Sequence, residues 1–102
     1  MNYEIDTQNN QGMITINDEI SLQMVKQLKV LFDQAMNETQ IIMIHMKDVT
    51  YIDLSFFQLL CAAQQKCLAN QQRIIFHPSS VQQMKEYVKQ AGFSHAIMVD
   101  EQ

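Results

Sequence analysis

Gln40-Ile41-Ile42-Met43-Ile44-His45-Met46, then Lys47-Asp48-Val49-Thr50-Tyr51-Ile52-Asp53, then Leu54-Ser55-Phe56-Phe57-Gln58-Leu59-Leu60 is the stretch that decides the fold. The first seven residues are β-branched and Met-rich without polar alternation, which reads as a strand covered on both faces. The next seven are mixed and read as a loop. From Leu54 the chain takes helical spacing, with Phe57, Leu60, Ala62, Ala63 and Cys67 able to share a buried side. Asn70 is expected to close that helix in a left-handed conformation. A buried strand handing over to an amphipathic helix is half of a β-α-β unit.

The same grammar extends in both directions. Upstream, Tyr3–Thr7 and Met13–Asn17 alternate apolar and polar residues around the turn-forming Gln8-Asn9-Asn10-Gln11-Gly12, a hairpin of two strands. Ser21 is a helix N-cap, with Ile20 and Val25 placed as a hydrophobic staple. Leu22, Val25, Leu28, Leu31, Phe32 and Ala35 then mark a helix over Leu22–Asn37. Downstream, Arg73–Phe76 is a short strand broken by His77-Pro78. Ser80 can cap a third helix with Gln83 as capping-box partner, and Val81, Met84, Tyr87, Val88 and Ala91 supply its stripe. Gly92 ends it. Ala96–Val99 is expected to be a last strand. This order predicts an α/β fold: a mostly parallel sheet with right-handed crossovers and an antiparallel hairpin strand at one edge.

With 102 residues, 47% hydrophobic and 18% charged, the chain fits one folded domain over residues 1–102. Two glycines and one proline are too few for a turn-rich sandwich. The formal net charge is −4, and the seven bases are dispersed, which speaks against nucleic acid and against docking on anionic lipid. No apolar run approaches the roughly 18 residues of a membrane span, and the N-terminus lacks a secretory pattern, so no membrane insertion and a cytoplasmic location are expected.

Cys61 and Cys67 lie about 120° apart on one helix and cannot pair locally; buried small hydrophobes are the expectation. His45, His77 and His95 fall in separate elements without ligand spacing, so no metal is expected. Met24, Met36, Met43, Met46, Met84 and Met98 sit at core-like spacing. No phosphate loop or Ser-His-Asp set can be placed, and the expectation is a non-enzyme without cofactor.

In such folds functional groups gather where strands hand over to helices. Here that is residues 48–60, and within them Val49, Ile52, Asp53, Ser55, Gln58, Leu59 and Leu60 resemble the strand-to-helix motif of the STAS family, the domain of anti-sigma factor antagonists and related signalling and transport proteins. The resemblance continues through Arg73-Ile74-Ile75-Phe76, Ala91-Gly92-Phe93 and Asp100. It implies a STAS-like α/β fold with helices mainly on one face of a four- to five-stranded, mostly parallel sheet, and a bacterial regulatory role exercised by protein–protein contact. Many family members are switched by a serine kinase that phosphorylates the hydroxyl residue after the motif Asp. This chain departs from the pattern there: the position holds Leu54, and the motif Gly position holds Phe56. Phosphorylation at the usual site is chemically impossible.

The expected docking segment is therefore the loop Tyr51–Phe56 with the first turns of the helix after it, and the expected partner-site residues are Asp53, Leu54, Ser55 and Phe56, with Gln58 and Lys47. Ser55 is the substitute phosphoacceptor or, more simply, a first-turn hydroxyl. Asp53 caps the helix, rims the partner site, or both. Phe56 either extends an apolar patch with Leu54 or folds back to shield the helix start. The resemblance implies an anti-sigma or serine kinase as partner, or a chemotaxis or two-component signalling protein. An alternative is the ATPase of an ABC-type lipid transporter, with this chain as accessory subunit. The exposed apolar residues could equally serve a homodimer.

Overall fold

An apolar strand without alternation must hydrogen-bond on both edges and be covered, so it belongs in the middle of a sheet. In the computed structural model, which describes residues 1–100, the elements are β1 (Asn2–Asp6), β2 (Gln11–Ile20), α1 (Leu22–Glu38), β3 (Ile41–Ile52), α2 (Leu54–Ala69), β4 (Arg73–Phe76) and α3 (Pro78–Gln90). The sheet order is β1-β2-β3-β4, with β1 antiparallel to β2 and the other pairs parallel. Right-handed crossovers between strands that step in one direction place α1 and α2 on one face, where they pack together.

Register sorts the side chains. Tyr3, Ile14, Ile44 and Phe76 form one row, and Ile5, Gly12, Ile42 and Ile74 the next. Ile14, Ile42, Ile44 and Phe76 are wholly buried, and join Leu28, Phe32, Leu60 and Met84 in one core. Glu4, Met13, Met43 and Ile75 form a row that points the other way.

The central pair is longer than the sequence pattern suggests. Residues 47–52, expected as loop, continue β3, because β2 also runs on to Ile20 and offers a parallel partner. The pairing passes from Asn17–Lys47 to Asp18–Val49 and Glu19–Tyr51, skipping Asp48 and Thr50 as bulges. Asp18 (φ 64°) and Asp48 (φ 51°) occupy the left-handed region there, which Asp tolerates better than most residues.

Helix ends follow local chemistry, with two corrections. Ser21 Oγ accepts from the Met24 N–H at 3.2 Å, as its sequence position suggests. α3 begins earlier than Ser80: Pro78 suits the first helical position, and His77 is the N-cap, its Nδ1 accepting from the Ser79 N–H at 3.1 Å. Ser80 is fully buried in the first turn, where its Oγ accepts from the Met46 N–H at 2.9 Å. At the end of α2 the left-handed residue is Gln71 (φ 59°), not Asn70 (φ −106°). The Gln72 N–H returns to the Cys67 carbonyl at 2.8 Å, the long bond of a Schellman motif, which places the left-handed residue one position later. Gly92 (φ 79°) closes α3 in the same way, with Phe93 N–H on the Val88 carbonyl at 2.9 Å.

Ala96–Val99 forms no strand. The Gln64 side-chain amide takes both backbone groups of Met98, donating to its carbonyl at 2.6 Å and accepting from its N–H at 3.0 Å. Among the described residues after α3, one backbone bond, Phe76 N–H to the Asp100 carbonyl at 2.7 Å, reaches the free edge of β4. Ile97 is buried, but Met98, expected in the core, is 61% exposed.

Candidate functional site

Two strand-to-helix handovers lie side by side. Ile20 and Ile52 are paired in the sheet, and the Asp53 N–H donates to the Ile20 carbonyl at 2.8 Å. One residue on, Ser21 and Asp53 cap α1 and α2. One further, Leu22 and Leu54 occupy the first helical positions and stand 53% and 54% exposed. Tyr51, just before the second handover, is 52% exposed. Three large apolar side chains thus face solvent at one end of the sheet.

Asp53 is a cap. Its Oδ2 accepts from the Ser55 N–H at 3.0 Å and from the Ser55 hydroxyl. Those bonds, the hydroxyl's foremost, hold the Asp53 carboxyl below its ordinary value. Ser55 is half-buried, its hydroxyl already committed. A phosphate there would sit against the Asp53 carboxylate, like charge on like charge.

Phe56 is corrected from the partner face to the core: it is fully buried. At about 100° per residue, a side chain two positions after Leu54 points almost directly away from it, so the two cannot share a patch. Phe56 meets Phe57 edge-on (ring centroids 5.9 Å), and Phe57 stacks on Phe93 (5.7 Å). Gln58, one turn after Leu54, is exposed on the same side of α2. Lys47 is exposed but lies at an odd strand position with His45, whose titration it influences, rather than with Leu54. The structure therefore groups Asp53, Leu54, Ser55 and Gln58, and separates Phe56 and Lys47 from them.

Sequence reasoning placed Tyr51 in the docking segment but missed Leu22. The signal was present in the matching triplets Ile20-Ser21-Leu22 and Ile52-Asp53-Leu54. Tyr51 also rims a shallow groove of about 290 Å³ with Thr50, Ile52, Phe57, Tyr87 and Ala91. Another cavity, of about 270 Å³, lies at the opposite end of α2, among Gln64, Cys67, Leu68, Ile74 and Met98.

A second cluster was also not foreseen. His45, within β3, and His77, just past the end of β4 and 32 residues on in sequence, stack at 4.1 Å with planes 15° apart. Ser79 Oγ lies 2.7 Å from His77 Nδ1 and 3.3 Å from His45 Nε2. Partial burial, then the His77 and Lys47 charges, push the His45 imidazole below its ordinary pKa. Among the described residues, no three His, Cys, Asp or Glu side chains gather as metal ligands. Nor is any helix among them long and apolar enough to cross a membrane.

The fold and the handover motif together define a STAS-type α/β protein. The profile of the family described as "Mlab, STAS domain" matches residues 3–100, and the chain belongs to that family. Among solved structures, it is similar to the anti-sigma factor antagonist SpoIIAA in its unphosphorylated form (TM-score 0.71, 16% identity, covering 99% of this chain and 88% of that one). The phosphorylated form of the Bacillus cell fate determinant SpoIIAA matches equally (TM-score 0.71, 17% identity, 99% and 91% covered). The NMR structure of TM1081 is similar as well (TM-score 0.73, 13% identity, 97% and 78% covered). At these identities the likeness is one of fold. Comparison with curated proteins gives no match.

Proposed function

We infer that this chain acts without catalysis, as a single STAS domain over residues 1–102 that docks a protein partner through the end of the sheet where β3 passes into α2. The setting is cytoplasmic bacterial regulation, as an anti-sigma factor antagonist-like partner-switching or scaffold module. The observation that supports this is Leu54, an exposed apolar side chain at the first position of α2, where the STAS pattern carries a switchable hydroxyl. An exposed leucine beside Tyr51 and Leu22 gains by being covered, and no kinase can modify it.

The same observation favours one other reading. A contact that cannot be switched at this position suits permanent assembly, and thus an accessory subunit that stabilises the ATPase of an ABC-type lipid transporter.

The test is affinity capture from native extract with the tagged chain, run beside Leu54→Glu, with intact-mass analysis of the captured chain. The expected result is a stoichiometric partner that Leu54→Glu loses while its circular dichroism is unchanged. A serine kinase or signalling complex supports the regulatory reading, and an ABC ATPase the subunit reading. Capture that survives Leu54→Glu overturns docking at this end. A phosphate mapped to Ser55 moves the switch by one residue.

A further inference from the structure

The docking end carries a charge as well as an apolar surface. Residues 17–22 and 47–54, which close the sheet there, hold Asp18, Glu19, Asp48 and Asp53 against the single base Lys47. Four acids against one base leave a formal excess of three negative charges on two short segments, offset in part by the Met1 ammonium, which donates to Asn17 Oδ1 at 3.0 Å. None of these four acids takes part in an ion pair among the described residues; the pairs that form are Lys29–Asp33 and Lys66–Asp33, both elsewhere. The acids are held in place by backbone. Asp18 and Asp48 sit at bulges of the β2–β3 ladder, and Glu19 pairs directly with Tyr51. The positive ends of α1 and α2 point the same way, but Ser21 and Asp53 already cap them.

We propose that this end recognises a basic amphipathic segment of a protein partner, with apolar side chains on Leu22, Tyr51 and Leu54 and Lys or Arg side chains facing Asp18, Glu19 and Asp48. The assignment rests on the docking reading above and adds the chemistry of the partner. Charge complementarity decides it: exposed acids on the two strands that lead to the apolar residues steer and orient a basic partner, and repel anionic lipid and acidic proteins. The groove beside Tyr51 gives the segment a place to seat one apolar side chain.

The test uses the isotope-labelled full chain and two helical peptides with the same apolar face, one flanked by Lys and Arg, the other by Glu. The basic peptide is expected to shift the amides of Leu22, Tyr51 and Leu54. Its affinity should fall about tenfold between about 50 and about 300 mM salt, because screening shortens the reach of these exposed charges. The variant Asp18→Asn/Glu19→Lys/Asp48→Asn keeps residues that tolerate the bulge conformation, and should weaken the basic peptide by a similar factor. Equal binding of the acidic peptide, binding indifferent to salt, shifts confined to other residues, or binding of phosphatidylglycerol vesicles at Leu54 each overturn the assignment. If the peptides fail in one of these ways while Leu54→Glu still loses the native partner, the basic chemistry falls and docking stands. If Leu54→Glu keeps the native partner, both fall.

Discussion

Leu54 and Phe56 stand two positions apart in the first turn of α2, and helical geometry gives them opposite tasks. Leu54 faces solvent and Phe56 is sealed in the core. Phe56→Ala should therefore cost about 3–5 kcal/mol, the transfer term plus the cavity left behind. Leu54→Ala should change stability by less than about 0.5 kcal/mol. Urea unfolding of the two variants checks this, and comparable losses would remove the distinction. Ser80 is a second residue whose task differs from its sequence reading. Its buried hydroxyl serves the Met46 N–H rather than a helix end. Ser80→Ala leaves that N–H unpaired and should cost about 1–3 kcal/mol, read as a fall in the urea midpoint at constant slope.

At the scale of elements, α3 is held by an unusual cap. His77 accepts the Ser79 N–H through an unprotonated Nδ1, with His45 stacked behind it. The His45 pKa is lower in the folded state than in the unfolded chain, so the native state binds fewer protons across the interval between the two values. Stability must then rise with pH through that interval, and fall as pH drops below the unfolded value of about 6.5. His45→Gln should flatten the slope of stability against pH between about pH 5 and about pH 7. An unchanged slope would place the pH response on other groups.

The segment after α3 is fixed by one side chain, since Gln64 takes both backbone groups of Met98. Gln64→Ala should release it, seen as a loss of hydrogen-exchange protection at the Met98 amide with the amides of β3 unaffected. Retained protection at Met98 would mean that Ile97 burial alone holds the segment.

Across the whole molecule, burial separates the two thiols that share α2. Cys67 lies in the core, and burial pushes its thiol above its ordinary pKa; Cys61 is half-buried. In the folded chain, alkylation should therefore be much slower at Cys67 than at Cys61, and urea should equalise them. Similar native rates would show that α2 opens readily. The same one-sided layering, with α1 and α2 packed on one face, leaves the strand-to-helix ends as the place where apolar and acidic groups collect together.

The sequence by itself determined the element order as far as α3, the antiparallel first strand, both parallel crossovers, the Ser21 cap and the handover at Asp53. All of these are local: periodicity, capping residues and turn residues act over a few positions. It also showed that residue 54 carries no hydroxyl. Tertiary structure decided the rest, because each case depended on a group distant in the chain. Residues 47–52 became strand because β2 ran alongside, and the strand expected at 96–99 was lost because Gln64 took its backbone groups. Ser80 turned inward because Met46 needed a partner. His45 met His77, and Leu22 came beside Leu54, only because parallel register set neighbouring strands level. A parallel pair is joined by a crossover through a helix, so the residues it brings together are far apart in sequence and leave no local signal.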